Sequence, residues 1–322
     1  HWCFDDKILI IMNIRVKHVR PYDSVMNPRV IVTILGTAQD AGIPQAGCSC
    51  DRCLNAHNNH DLKKYPVSIG IQGIDGSKHL IEVTRNLPEQ LRLWSDEMAT
   101  QKIFIPDTVT ITHLHLGHIE GIGQFGKPVM GIKNMPIYLS EMNKNSIEER
   151  NDIQLMIKEK NLKFISQKYH QTFEPKKGCG FTLKLISIPH RSELGDTSAI
   201  LIKGLQRTLL FMPDQDSWIE TLDNYSAKDI REFFKSLEID LAWIDGTFWS
   251  LNELPGRNLS EIPHPTIEDT IRLLGIKKEN DPDVSFIHLN HSNPVNDENS
   301  KERKLVESHG WGICKRNKTE SL

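Results

Sequence analysis

The sequence predicts one α/β domain, on three observations. Short apolar runs of strand length recur along the whole chain, from VIVTIL at 30–35 to VSFIHL at 284–289. Stretches with helical spacing or helix caps fall between the later runs, so the order passes from strands alone to strands and helices mixed, and then to a second such set. No repeat of about 20–50 residues, no low-complexity segment and no Pro- or Ser-rich linker divides the chain, which argues against two domains.

Composition narrows the class. With 322 residues, 38% hydrophobic and 25% charged, the chain suits a soluble globular protein with a sizeable core. A net charge of −3 without a basic block gives nucleic acid no bulk electrostatic hold. No apolar run approaches the roughly 20 residues that span a bilayer, so no membrane is expected as a partner. Residues 1–25 read as an N-terminal extension. The apolar run 8–12 is too short to span and has no clear small-residue cleavage site after it, so no signal peptide is assigned. The domain is expected over 26–316, with 317–322 as a C-terminal tail.

Residues 30–35 form the first buried strand. It ends in a long loop, GTAQDAGIPQAGCSCDRC at 36–53, and long ordered loops are usually functional or stapled by a metal. Here Cys48, Cys50 and Cys53 offer three of the four ligands of a tetrahedral zinc. The other cysteines, Cys3, Cys179 and Cys314, are isolated, unlike a disulfide framework, and the pattern suggests a reducing, cytoplasmic compartment. For the fourth ligand the candidates are His57, His60 and a distant histidine.

Residues 67–72 and 79–84 are expected as strands around the turn Asp75-Gly76. Residues 87–98 form an amphipathic helix with Leu87, Leu91, Trp94 and Met98 on one face. A short buried strand at 109–112 runs into the histidines discussed below. Then come a strand at 136–139, a polar helix with a solvated face at 147–160, and a strand at 182–188 that ends at Pro189-His190. Residues 198–202 and 208–211 form an antiparallel pair, the second ending at Pro213-Asp214. A helix is expected at 226–237, with Ser226 as its cap and Asp229 three residues on. The remainder reads as a buried strand at 241–244 ending at Asp245-Gly246, a helix at 266–274, a strand at 284–289 that carries His288 and runs on to His291, and a helix at 300–308 stopped near Gly310.

The chemistry gathers in ITHLHLGHIEGIG, 111–123. Side chains two apart in a strand face the same way, so His113 and His115 reach one ion together. His118 falls where a turn into a helix would aim it at a neighbouring position. Gly117, Gly121 and Gly123 let the backbone turn tightly and pass close to a ligand. Further candidate ligands lie at the ends of separate strands: His190, Asp214 and His288. Strand formation does not ask for that placement, whereas a metal site does. Imidazoles with one carboxylate suit Zn, Fe or Mn.

A strand leading into these spaced histidines, followed by a later His, Asp and His, resembles the metallo-β-lactamase superfamily over most of 26–316. The stretches GTAQDAGIPQAGCSCDRC, DGTFWSLNELPGRN and HLNHSNPVNDENSKER resemble coenzyme PQQ synthesis protein B and its stand-alone homologues. The cysteine loop with a late histidine also resembles the cyclic phosphodiesterase branch of the phosphonate pathway. These resemblances imply a four-layer αβ/βα sandwich of two mixed β-sheets with outer helices. They imply His113, His115 and His190 as first-site ligands, Asp214 as the carboxylate that bridges two metals, and His118 and His288 as second-site ligands. They further imply Cys48, Cys50, Cys53 and His291 as a structural zinc site, with His57 as runner-up. His264, in HPT, matches a position near the substrate, where it binds an anionic group or donates a proton.

Two departures stand out. The superfamily motif has Asp where this chain has Gly117, so the second site is expected to keep only His118, Asp214 and His288 and to bind metal more weakly. The two leading histidines of the motif are kept here and not in the PQQ protein, which makes the metal ligands more like those of a hydrolase. The implied activity is hydrolysis by a metal-bound hydroxide, with Asp214 or His264 moving protons. Its substrate would be a phosphodiester or another ester or lactone, on a small molecule or a peptide-derived one. The PQQ resemblance implies an alternative, an iron-dependent hydroxylase or accessory protein in PQQ-type cofactor biosynthesis; a third reading is a non-catalytic metal-binding carrier. Zinc is expected in the cysteine site and at one or two active-site positions, with Fe or Mn as active-site alternatives. A homodimer is compatible with the sequence, dimers being common among soluble enzymes.

Overall fold

Alternating apolar side chains sort the strands into layers. The computed structural model describes residues 28–191, 193–254 and 263–322, and the extension expected over 1–25 lies outside them. Among the described residues two seven-stranded sheets form. The first contains β1 (Ile31–Gly36), β2 (Ser68–Gln72), β3 (Lys78–Ile81), β4 (Thr108–Thr110), β5 (Met135–Ser140) and β6 (Leu162–Gln167) side by side in that order. The second contains β7 (Thr172–Phe173), β8 (Thr182–Ile188), β9 (Thr197–Lys203), β10 (Thr208–Met212), β11 (Leu241–Asp245), β12 (Asp283–Ile287) and β13 (Gly312–Ile313). The last strand, β14 (Thr319–Ser321), returns to the outer edge of β1.

Each sheet is antiparallel at one end and parallel at the other. Parallel neighbours need crossovers, and helices supply most of them. They are α2 (Leu87–Glu97) before β4, α4 (Glu141–Glu148) and α5 (Asn151–Lys158) before β6, α6 (Trp218–Asn224) and α7 (Ile230–Ser236) before β11, α8 (Ile267–Leu274) before β12, and α9 (Lys301–Ser308) before β13. Two shorter pieces, α1 (Asp51–Asn58) and α3 (Leu116–Ile119), sit in the loops that carry the cysteines and the histidines.

Leu209 and Phe211 of β10, with Leu183 and Trp243 of the same sheet, face the other sheet, where Val32, Ile34 and Ile69 join them in one core. Leu210 and Met212 face outward and pack under Trp218, Phe233 and Ile271 of the helices. On the far side Leu80 and Val109 pack under Leu87, Leu91 and Trp94 of α2. The result is helix, sheet, sheet, helix: the four-layer αβ/βα sandwich. No helix among the described residues is long and apolar enough to cross a membrane.

Several local expectations change. The single helix expected at 147–160 is two, α4 and α5, because Ser140 accepts from Asn143 N and starts the first early, while Arg150 is extended and separates them. Neither half is simply solvated, since Ile147 and Ile153 are buried. The helix expected from Ser226 begins at Ile230. Asp229 caps it by accepting from Glu232 N, and Ser226 occupies a left-handed turn at φ 50°. Residues 317–322, expected as a tail, carry β14, and Leu322 N donates to Val30 O at 2.9 Å. Gly117, Gly121 and Gly123 do not use a left-handed backbone. A Cβ at Gly121 would lie 2.1 Å from Thr84 O, so close approach is the reason there, while Gly123 faces open space.

Candidate metal centre

The carboxyl ends of β4, β8, β10, β11 and β12 open onto one edge of the sandwich, the usual place for chemistry on parallel strands. β4 leads through Thr112 into His113 and His115, and His115 is also the N-cap of α3, whose turn carries His118 inward. β8 ends at Pro189-His190 and β10 at Pro213-Asp214. His288 follows β12 in a left-handed conformation at φ 64°, a strained setting for a residue with a Cβ. His113, His118, His190, Asp214 and His288 are all buried.

Their ring and carboxylate atoms meet. His113 Nε2 lies 2.9 Å from His115 Nδ1, and His190 Nε2 lies 3.3 Å from the same atom. Asp214 stands between two groups, with Oδ1 3.9 Å from His190 Nε2 and Oδ2 3.4 Å from His118 Nε2. Asp40, from the loop after β1, completes the second group, with Oδ1 3.3 Å from His118 Nε2 and 3.4 Å from His288 Nε2. A Cβ at Gly117 would lie 2.3 Å from the Asp40 carboxylate, so that side chain fills the space beside the glycine.

A ring of partners orients these imidazoles. His190 Nδ1 pairs with Asp216 at 2.9 Å, His113 Nδ1 with Thr112 Oγ1 at 2.9 Å, and His288 Nδ1 with Thr247 Oγ1 at 2.9 Å. Glu82, fully buried, accepts from Thr112 N and lies 3.6 Å from His118 Nδ1. His264 Nδ1 is held by Asp245 Oδ2 at 2.6 Å, which leaves Nε2 for the cavity. Such outer partners fix tautomer and ring orientation in metal sites.

The charges interlock. Burial pushes His113 well below the usual imidazole range. Burial pulls His118 the same way, but Asp214 and Glu82 overcome it and raise it well above that range. Burial pushes Asp40 and Asp214 up, yet the surrounding imidazoles hold both carboxyls well below the usual range. His264 is raised: burial opposes this, and the charge and hydrogen bond of Asp245 outweigh it.

Does this donor set fit zinc? A tetrahedral zinc with Zn–N near 2.05 Å holds two nitrogens about 3.3 Å apart, and with Zn–S near 2.3 Å it holds S and N about 3.6 Å apart. The first histidine group spans 2.9 and 3.3 Å. His118 Nε2 and Asp214 Oδ2 are buried and lack a hydrogen-bond partner among the described residues, a cost that an ion would remove. In the other cluster His291 Nδ1 lies 3.6 Å from Cys48 Sγ and 3.7 Å from both Cys50 and Cys53 Sγ, matching one shared zinc. His57 and His60 are exposed nearby. Both clusters fit.

Residues 89–288, more than half of the chain, match the family model described as the beta-lactamase superfamily domain. The chain belongs to the metallo-β-lactamase superfamily. Coenzyme PQQ synthesis protein B of Rhodopseudomonas palustris (strain BisB5) is 24% identical over 311 residues, covering 88% of this chain and 96% of that protein. The crystal structure of Zn(2+)-bound PqqB from Methylobacterium extorquens superposes with a TM-score of 0.70 at 19% identity, covering 91% of this chain and 100% of that one. A diphosphatase described as from the PhnP family gives a TM-score of 0.63 at 17% identity, with 91% and 98% covered.

Against the superfamily motif, the structure brings together His113, His115, His118, His190, Asp214, His264 and His288 at one edge, and Cys48, Cys50, Cys53 and His291 beside it. Sequence reasoning missed Asp40, although it lies just past a strand end as the other candidates do. It also missed Glu82, Asp216 and Asp245, whose roles depend on which histidine each one reaches across the fold. The adjoining cavity has a volume of about 620 Å³, and Arg85 and Arg191 line it together with His115, Phe248 and His264.

Proposed function

We propose that this superfamily member is a metal-dependent hydrolase acting on a phosphodiester or another ester or lactone, on a small or peptide-derived molecule. The observation that carries the reading is the convergence of His113, His115 and His190 with Asp214 beside a ligand-sized cavity that His115 and Asp214 line. His113, His115, His190 and Asp214 would hold the first ion, and His118 and His288 would hold a second with Asp214 between them. Zinc held by these residues would supply an activated water at neutral pH, whose pKa falls to about 7 in such sites, and Lewis-acid polarisation of the bond under attack. Fe or Mn would suit the same donors.

The chain's own groups do the rest. Asp216 and Thr112 keep His190 and His113 in one tautomer and one orientation. Asp245 favours the protonated form of His264, whose Nε2 can pass a proton to a leaving oxygen or hold an anionic group. Arg191, whose buried Nε has no hydrogen-bond partner among the described residues, supplies a cation at the cavity wall. That pairing of cations suits a phosphate-bearing substrate.

The test is metal content together with turnover of bis(p-nitrophenyl) phosphate. Zinc-dependent turnover that His113→Ala and Asp214→Ala both abolish supports the reading. Turnover surviving both substitutions rules it out. A second reading, an iron-dependent hydroxylase or accessory protein of PQQ-type biosynthesis, draws support from the likeness to coenzyme PQQ synthesis protein B over 88% of this chain. It requires iron in the purified protein and substrate-dependent oxygen consumption.

A further inference from the structure

Gly117 makes room, and one side chain takes it. A Cβ built at that position would meet Asp40 Cγ and Oδ1 at 2.3 Å and Asp40 Cβ at 2.5 Å. All three contacts are with the Asp40 side chain. A carboxylate could therefore not be carried at 117 while Asp40 stays where it is.

Asp40 is not there by the chance of a loose loop. Ala38 bridges to Leu289, Gln39 N donates to Leu289 O at 3.0 Å, and Leu289 N donates to Thr37 O at 2.9 Å. Leu289 is the residue after His288, so the loop bearing Asp40 is tied to the segment bearing His288. Arg85 donates to the Asp40 carbonyl and secures the loop from the other side. The carboxylate then lies 3.3 Å from His118 Nε2 and 3.4 Å from His288 Nε2, and Asp214 Oδ2 lies 3.4 Å from the same His118 nitrogen. Oxygen and nitrogen ligands on one tetrahedral zinc stand about 3.4 Å apart.

We propose that Asp40 is a ligand of the second metal position and replaces the aspartate that the superfamily motif carries at 117. The position then has two imidazoles and two carboxylates, His118, His288, Asp214 and Asp40, and is complete despite Gly117. Asp40 and Gly117 form a matched pair. A carboxylate at both would collide, and a carboxylate at neither would leave His118 and His288 with Asp214 alone. The inference rests on the metal-dependent reading of the site but needs only that metal binds, not that any ester is turned over.

The test counts zinc in the full chain by plasma mass spectrometry after dialysis and ranks affinities by competition with a chromophoric chelator. Wild type is expected to hold about three zincs, one with the cysteines and two in the histidine cluster. Asp40→Ala is expected to hold about two, with the weakest site loosened by more than the roughly 10- to 100-fold that loss of an outer-shell partner brings. Gly117→Ala is expected to lose the same ion, because its Cβ displaces Asp40. The double change Asp40→Gly with Gly117→Asp is expected to regain it by moving the carboxylate back to the motif. A purely structural role for Asp40 would lower the melting temperature, leave the count intact and gain nothing from Gly117→Asp. Retention of the third ion by Asp40→Ala, or a wild type that binds only one ion in the histidine cluster, overturns the proposal. A wild type with all three ions and no turnover overturns the hydrolase reading and leaves this one standing.

Discussion

Replacing Asp245 by Asn should cost more than a change of one atom suggests. The buried carboxylate accepts from four donors: Gln215 N at 3.1 Å, Thr247 N at 2.9 Å, Thr247 Oγ1 at 2.7 Å and His264 Nδ1 at 2.6 Å. An amide keeps one oxygen. Its best orientation turns that oxygen to Gln215 and His264 and its NH2 towards Thr247, where the hydroxyl can rotate to accept but the backbone N–H cannot. One buried N–H without a partner costs about 1–3 kcal/mol, and breaking a buried charged pair costs about 3–5 kcal/mol at most. We expect a loss of about 2–5 kcal/mol, or roughly 3–7 °C in Tm for a chain of this size. The charge-dependent part has a sign. His264 is raised in the folded state by Asp245, so its contribution is fully present below the unfolded value near 6.5 and fades as pH rises through the higher folded value. The gap between wild type and Asp245→Asn should therefore be widest near pH 6 and narrow towards pH 9, leaving the constant part due to Thr247 N–H. Melting curves with saturating zinc across that range measure it. A gap below about 2 °C at pH 6, or one that widens with pH, would refute the reasoning.

Glu253 offers the opposite case: burial pushes its carboxyl up to about 7, so its contribution is present below the unfolded value near 4.5 and lost as pH rises through 7. Glu253→Gln should leave Tm unchanged at pH 4.5 and raise stability at pH 8 by up to about 3 kcal/mol, as urea titrations at both values would show. Cys53→Ser should remove about one zinc per chain and expose the loop at 36–66 to trypsin, followed by metal analysis and limited proteolysis. Phe211→Ala, which empties the core between the sheets, should cost about 3–5 kcal/mol in urea unfolding without changing zinc content.

The strands that make the sandwich were legible because most are buried on both faces and read as apolar runs; β10 and β11 are the clearest. Missed were β6, a half-buried strand at the edge of its sheet, the helices α1 and α6, and the strands whose order comes from pairing. β7, β13 and β14 have two or three residues each and exist only as neighbours of longer strands. Ser226 was a reasonable cap by type, but Asp229 sits where its carboxylate reaches the free N–H of Glu232. At the site, the histidines were legible because their spacing is local. Asp40 was not, because its meaning lies in the space beside Gly117, and a sequence does not state which distant side chain fills a missing one. Asp245 and Glu82 were hidden for a related reason: their partners come from other strands.

The tie between Leu289 and the loop after β1 bears on the order in which the protein is put together. The same two segments carry the cysteine cluster, with Cys48, Cys50 and Cys53 on one and His291 on the other. An ion held there would join the segments at a second point beside the Leu289 tie and so help keep Asp40 and His288 in register. The thiols would then bear on the history of the centre as well as its shape, and a chain made while zinc is scarce would be expected to differ from one stripped of zinc after folding.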